Sequence, residues 1–392
     1  MQSSTSPKTE DLILSSVLHG PKDLRIQKID LPPPKPDELQ IQIRSTTLCG
    51  SDLHYYNHYR NGDIIVKHPL SLGHESSGCV VSVGTSAWGQ GWRPGDRVAL
   101  EVGIPCGDCA RCLEGRYNIC STLSFRSSAK STPHHWGTLQ ERINHPAKWC
   151  HRIPDEVSFT QAALLEPLGV ALHCTRRTIK NGSLVPGASV LVIGAGAVGM
   201  LIAAAAGLAG ASTVVITDIN AGRVEFARQH GWCTHSHVSQ RSPPANAADD
   251  DKLAPAKAAA AEILAVAARP GGVDVVYECT GMESCAQTAI FAARPGGAVM
   301  LVGMGTPVMT LPISAAAHKE IDILGGFRYA NMYPLGIVLL GSGKLPGLEE
   351  LVTHTYEGLD RVEEGFKMAG RVASDDGTLV VKVEVQFNST SS

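Results

Sequence analysis

Cys106-Gly-Asp-Cys109-Ala-Arg-Cys112, followed by Cys120, places four thiols on one short stretch with the spacing CxxCxxCx7C. Four thiolates on such a loop suit a closed tetrahedral structural zinc site, with each sulfur about 2.3 Å from the ion. An iron–sulfur cluster is the runner-up, although the spacing differs from the usual ferredoxin runs. Two disulfides would require an oxidising compartment. A second constellation is dispersed: Cys49 in CGSDLH, His74 and Glu75 in GHE, and Glu166 in LLEPL. One thiolate, one imidazole and one or two carboxylates, with a position left open, are what a catalytic zinc requires. Spacing alone leaves the alternative that these residues serve packing or solvation separately.

Gly194-Ala-Gly196-Ala-Val198-Gly199 follows the apolar run SVLVI and precedes an alanine-rich, helix-like stretch. In that context the first glycine permits a tight turn, the second a close approach to a pyrophosphate, and the third helix-to-strand packing. The helix N-terminus then faces the phosphate charge. Asp218, 24 positions after Gly194, ends the next apolar run TVVITD. An aspartate there accepts hydrogen bonds from the adenosine ribose hydroxyls and repels a 2′-phosphate, so the expected cofactor is NAD rather than NADP. Arg223 follows closely and is expected to flank the adenine and ribose.

The elements that must position these groups can be read from the rest of the chain. Its 392 residues suffice for two or three domains, and 34 basic against 37 acidic side chains give no electrostatic reason to expect nucleic acid or an anionic membrane as partner. Eleven cysteines, an odd number, fit a reduced, metal-using chain better than a fully disulfide-paired one. The opening MQSSTSPKTE has neither an apolar core nor a basic start, so it reads as a polar leader, and a cytoplasmic location is expected. The longest apolar stretch, 198–211, holds three glycines and is too short to span a bilayer.

Roughly the first 160 residues are strand-like, with Leu39-Gln-Ile-Gln-Ile-Arg alternating after a proline-rich breaker. Near Ala162 a helical pattern begins, interrupted at Pro167. From Ser189 strands and helices alternate: SVLVI, a helix over about 197–209, TVVITD, a helix around 223–229, VDVVYE, a helix over about 283–293, and AVMLVG. Such alternation predicts a parallel, doubly wound sheet. Residues 241–251 read as an exposed insertion. After about residue 320 the chain leaves the alternation, and it ends with the strand-like TLVVKVEVQF. The expected fold class is α/β: a β-rich catalytic domain over 1–170 carrying both metal sites, a nucleotide-binding domain over 171–322, and a segment over 323–392 returning to the first domain.

Taken in order, CGSDLHYY, GHESSG, the four-cysteine loop, NHPAKWCHRIP, LLEPLGVAL, GAGAVG with TD, ECTGMES and GFRYANMYP resemble the zinc-dependent medium-chain dehydrogenases, and more narrowly their polyol branch. The resemblance spans about residues 12–387. It implies a GroES-like catalytic domain joined to a Rossmann domain, two zinc ions per chain, NAD, and a homotetramer. It implies that Cys49 and His74 ligate the catalytic zinc, that Glu75 or Glu166 completes its shell, and that Asp52 orients His74. Cys106, Cys109, Cys112 and Cys120 would hold the structural ion. Ser51 and His54 would relay the alcohol proton. Tyr55, Glu166, Arg328 and Tyr329 would meet a substrate bearing a hydroxyl on each carbon. Val198, Val302, Gly303, Met304 and Phe327 would lie beside the cofactor, with Arg328 and Tyr329. The implied reaction is NAD-dependent oxidation of a secondary hydroxyl of sorbitol, xylitol or L-arabinitol to a ketose, the hydroxyl being acidified by zinc.

Two other readings remain: a related zinc dehydrogenase for threonine or another secondary alcohol, and a non-enzymatic protein holding zinc and NAD as structural or sensing ligands. Between Phe125 and Thr132 the chain departs from the resemblance, with a longer loop followed by His134 and His135, which are expected to be solvent-exposed.

Overall fold

The computed structural model describes residues 12–240 and 252–387, so the polar leader and the insertion expected at 241–251 lie outside the described residues. The chain divides into two compact units. The first runs through Glu166 and is completed by Tyr333–Gly343 and the residues from Gly347 onward. The second comprises Pro167–Met332 with Lys344–Pro346.

The first unit is built on a seven-stranded sheet. Its path runs Cys150–Arg152, Arg97–Leu100, Glu75–Val83, Glu38–Thr47, Lys382–Gln386 and Val352–Glu357, and Arg142–Pro146 pairs with Glu38–Thr47 off that path. The alternation seen at Leu39-Gln-Ile-Gln-Ile-Arg buries Leu39, Ile41 and Ile43 completely and leaves Gln42 and Arg44 half-buried. These three join Leu70, Leu72, Val98, Leu100, Val383 and Val385 in one core. The C-terminal strand enters between two others: it pairs antiparallel with Glu38–Thr47 and parallel with Val352–Glu357. A second, three-stranded sheet joins Asp23–Asp30, Leu12–Gly20 and Leu70–Ser71.

The second unit holds six parallel strands in the order His235–Val238, Thr213–Asp218, Ser189–Ile193, Val273–Glu278, Ala293–Leu301 and Asp322–Gly325. Numbered along the chain this is 3-2-1-4-5-6, the doubly wound dinucleotide-binding order, whose direction reverses between Ser189–Ile193 and Val273–Glu278. Every residue of Ser189–Ile193 is buried, as expected for a parallel strand covered on both faces.

Two expectations shift. The helical run is interrupted, but at Leu164 rather than at Pro167 itself: Phe159–Ala163 ends there and Leu165–Asn181 begins, with Pro167 in its first turn, unable to donate to the Ala163 carbonyl four residues back. The chain also leaves the alternating unit later than residue 322, because Asp322–Gly325 is itself the sixth parallel strand, hydrogen-bonded to Ala293–Leu301. Its polar start and the glycine pair that follows hide it from a period-based reading.

Candidate functional site

The first unit brings three of the dispersed residues together. Cys49 caps the N-terminus of helix Gly50–His58, directly after the strand ending at Thr47. Glu75 opens the neighbouring strand, and His74 immediately precedes it. Gly73 before them has φ +91°, and a Cβ there would lie 2.9 Å from Thr138 and Thr46 side-chain atoms, so only glycine makes this entry. One ligand atom from each of Cys49, His74 and Glu75 falls within 4.8 Å of the other two. Glu166, though buried in the same unit, is not part of this cluster; its charge is felt by Lys382.

Asp52 orients the imidazole. It is wholly buried, and its Oδ1 accepts from His74 Nδ1 at 3.2 Å, from the Gly73 amide at 3.2 Å and from Ser127 Oγ at 2.6 Å. Its Oδ2 accepts from the Cys49 amide at 3.3 Å. Burial opposes its charge, but the facing His74 and the donated hydrogen bonds outweigh burial and hold the carboxyl below its ordinary range. For His74, burial disfavours the cation, yet Asp52 and Cys49 raise its pKa well above the usual value. The Nδ1 contact with Asp52 leaves Nε2 as the ring atom to face an ion.

Glu75 has a counter-ion that the sequence did not reveal. Lys382, on the C-terminal strand and only 6% exposed, donates from Nζ to both Glu75 oxygens, 2.5 Å from Oε1, and to the Leu48 carbonyl at 3.2 Å. Thr47 Oγ1 also donates to Glu75. Burial works against the ammonium, but Glu75, Cys49 and Glu166 raise its pKa. The single lysine within the apolar alternation VVKVEV was the available signal.

The remaining predicted residues of this unit lie on the helix after Cys49. Ser51 is half-buried and His54 exposed, one turn apart. Tyr55 is buried, and its hydroxyl accepts from the Ala129 amide at 3.4 Å. The 125–137 loop also corrects an expectation. His134 is 7% exposed, its Nε2 accepting from the Lys67 amide at 2.9 Å and its Nδ1 donating to Ser131 O at 2.8 Å. His135 is half-buried, with Nδ1 2.8 Å from Ser124 Oγ. An imidazole offers one donor and one acceptor, which is what these turns leave unpaired.

The four-cysteine loop closes on itself. Cys106 and Cys112 sulfurs are 3.8 Å apart, Cys109 and Cys112 3.5 Å, and Cys120 and Cys106 3.6 Å. These distances are too long for disulfides, and all eleven cysteines are free thiols. Desolvation and the adjacent thiols push Cys112 up to about 12. Cys120 is held down to about 6, because backbone and Thr122 hydrogen bonds to its sulfur outweigh burial. Four sulfurs so placed can ionise together only around a cation, which fits zinc. Tyr117, within the loop, donates to Glu101 at 2.5 Å, and Glu101 also meets His151 at 2.8 Å. By contrast, burial raises the thiol pKa of Cys79, Cys150, Cys279 and Cys285, pushing Cys174 to about 12 and Cys233 to about 11. Burial thus favours the neutral thiol at all six.

In the second unit Gly194 has φ +102°, and a Cβ on it would lie 2.8 Å from Thr280. A Cβ on Gly199 would lie 1.9 Å from Gly194 O, whereas one on Gly196, which caps helix Ala197–Leu208, would meet nothing within 4 Å. The outer glycines serve the turn and the packing, and the middle one faces open space that a pyrophosphate fits. Asp218 closes the adjoining strand, its oxygens accepting from the amides of Ala195 at 2.7 Å and Asn220 at 2.8 Å. Arg223 Nε is buried without a hydrogen-bond partner, the kind of donor that a ribose or phosphate oxygen satisfies. Val198, Val302 and Gly303 are half-buried, and Met304 and Phe327 exposed. A Cβ on Gly303 would lie 2.1 Å from the Gly281 amide, so this turn depends on glycine. Arg328 has φ +50° and lies 5.0 Å over the Phe327 ring, while Tyr329 is buried against Gly169.

Residues 35–155 match the alcohol dehydrogenase GroES-like domain, and residues 197–340 the zinc-binding dehydrogenase domain. The chain belongs to the zinc-dependent medium-chain dehydrogenases, with a GroES-like unit, a Rossmann-type unit, zinc and NAD. It is 39% identical to sorbitol dehydrogenase of Bos taurus over 354 residues, 90% of this chain and 92% of that one. The human sorbitol dehydrogenase is likewise 39% identical over 354 residues. Among solved structures, L-idonate 5-dehydrogenase of Escherichia coli matches with a TM-score of 0.80 at 28% identity, over 96% of this chain and 98% of that one. Among the described residues no helix is long and apolar enough to cross a membrane.

Proposed function

We propose that the protein oxidises a secondary hydroxyl of a polyol to a ketose with NAD as hydride acceptor, the polyol being sorbitol, xylitol or L-arabinitol. The observation that carries this reading is the Cys49, His74 and Glu75 cluster, held by Asp52 and Lys382, in a chain similar to sorbitol dehydrogenases over nine-tenths of its length. Zinc bound by these residues would supply the Lewis acidity that makes an alcohol proton easy to lose. Asp52 keeps His74 in one tautomer, Ser51 and His54 pass the alcohol proton toward solvent, and Asp218 accepts from the adenosine ribose. Tyr55, Glu166, Arg328 and Tyr329 are assigned to the polyol hydroxyls. Cys106, Cys109, Cys112 and Cys120 hold a second zinc, giving two per chain. The assembly is assigned as a homotetramer in the cytoplasm.

NADH formation with sorbitol, xylitol, L-arabinitol, ethanol and threonine tests the reading. Turnover is expected with the polyols alone and is expected to vanish in Cys49→Ser and His74→Ala while NAD binding persists. Reduction of NAD with threonine or ethanol alone would point to a related alcohol dehydrogenase, and with none of them to a zinc- and NAD-binding protein without catalysis.

A further inference from the structure

We propose that Ser127, in the loop after Phe125, is a positioning residue for the metal site: its hydroxyl holds Asp52, and Asp52 holds His74. The inference rests on the reading of Cys49, His74 and Glu75 as zinc ligands.

Asp52 is 0% exposed, so every partner of its carboxylate comes from the protein. The Cys49 amide and the Gly73 amide, at 3.3 and 3.2 Å, belong to the two segments that carry the ligands themselves. Ser127 Oγ, at 2.6 Å the shortest of the four contacts, reaches in from 75 residues away in sequence. It donates to the same oxygen that faces His74 Nδ1. A hydrogen bond to an ionised carboxylate is among the stronger ones a hydroxyl makes. Here it limits the side-chain rotation by which Asp52 would lose His74.

The backbone at this residue is also unusual. Ser127 has φ +59°, a left-handed conformation that few residues other than glycine adopt. The chain on either side is pinned. Arg126, wholly enclosed, donates to His145 Nδ1 at 3.1 Å, to the Trp136 carbonyl at 3.0 Å and to the Asn144 carbonyl. Ser128 and His135 exchange backbone hydrogen bonds of 3.4 and 3.2 Å. The Ala129 amide donates to Tyr55, and the Phe125 ring centre lies 5.5 Å from that of His74. Glycine would make the turn at less cost, and what serine adds is the hydroxyl aimed at Asp52. Strain held in place from both sides at such a position is the pattern of a functional constraint.

The test uses the zinc-loaded protein and follows zinc loss to a chromogenic chelator, with the four-cysteine site as internal control. Ser127→Gly removes the hydroxyl and relieves the backbone, so it folds even where Ser127→Ala does not. Removing a partner of a metal ligand costs about 10–100-fold in metal affinity, so zinc release from the Cys49–His74–Glu75 site is expected to quicken about tenfold or more in Ser127→Gly, with release from the four-cysteine site unchanged. Ser127→Asn tolerates the left-handed backbone and keeps an N–H donor, and is expected to recover part of the retention. In the cobalt-substituted protein the visible ligand-field bands should move in Ser127→Gly and return toward wild type in Ser127→Asn. Zinc release from Ser127→Gly at the wild-type rate, with Asp52→Asn still fast, would overturn the proposal and leave the metal reading standing. Equal release from wild type, Ser127→Gly and Asp52→Asn would overturn both.

Discussion

Replacing Lys382 by Met tests the buried ion pair behind the metal site. Lys382 and Glu75 are 6% and 1% exposed, so neither charge is screened by water. The methionine fills similar volume but removes the ammonium that spans both Glu75 oxygens, leaving Thr47 as the remaining donor to that carboxylate. Breaking a buried pair by removing one partner costs about 3–5 kcal/mol, most of it the stranded charge. For a unit of this size a kcal/mol moves the melting temperature by about 2–4 °C, so the metal-free variant should melt roughly 6–20 °C lower. If zinc binds at Cys49, His74 and Glu75, it places a cation next to the same carboxylate, and the loss should shrink in the zinc-loaded protein. Adding Glu75→Gln removes the stranded charge, and the double variant should recover about 1–3 kcal/mol of what the two single changes lose together. Calorimetric or denaturant melts of all four proteins, with and without zinc, supply the numbers. A Lys382→Met protein within about 0.5 kcal/mol of wild type in the metal-free state, or single losses that simply add, would refute the reasoning.

Four further outcomes can be measured. Asp218→Ser should lower the kcat/KM ratio of NAD over NADP by about tenfold or more, since a hydrogen bond to a charged group contributes about 1.5–3 kcal/mol; an unchanged ratio counts against the assignment. Gly199→Ala, with its Cβ 1.9 Å from Gly194 O, should lose stability and NAD binding together, whereas Gly196→Ala should melt as wild type yet bind NAD more weakly, and full NAD affinity in Gly196→Ala would remove the pyrophosphate from that position. Metal analysis of Cys120→Ser should find one zinc per chain against two in wild type, and two in both would place the second ion elsewhere. Burial, then the nearby Arg126 charge, pushes His135 down to about 3 and His145 well below its usual value. The unfolded chain takes up those protons below about pH 6.5 and the folded one does not, so stability falls as pH drops from about 6.5 toward 3; His135→Gln should flatten the melting-temperature profile in that window, and parallel profiles would refute the contribution.

The parts of this protein legible in sequence are those written in local spacing. The four-cysteine loop, the glycine turn with Asp218, and the alternation of short apolar runs each place their chemistry within about one supersecondary unit. Residues joined only by the fold were harder to read. Cys49 and His74 meet because two antiparallel neighbours deliver them to the same end of the sheet, and motif order rather than period brought them together. Lys382 and Ser127 carry almost no signal, the first being one of two charges in a short strand and the second one serine in a polar loop. The composition around His134 and His135 is that of a surface turn, whereas the backbone around them buries the first and half-buries the second. Asp322–Gly325 was missed as a strand because it is short and polar at its start.

The return of the C-terminal strand to the first unit gives the site a schedule. Lys382 follows Glu75 by 307 residues in the chain. At a synthesis rate of about 5–20 residues per second, roughly 15–60 s separate the two on the ribosome. Throughout that interval Ser45, Thr46 and Thr47 lack the strand that pairs with them, and the Glu75 carboxylate lacks its cation. The second unit, whose six strands all lie within that interval, can form meanwhile. The Cys49, His74 and Glu75 cluster therefore gains its counter-ion only once Lys382 has been made, and a nascent chain stalled before it would carry a completed nucleotide fold and an unfinished catalytic one.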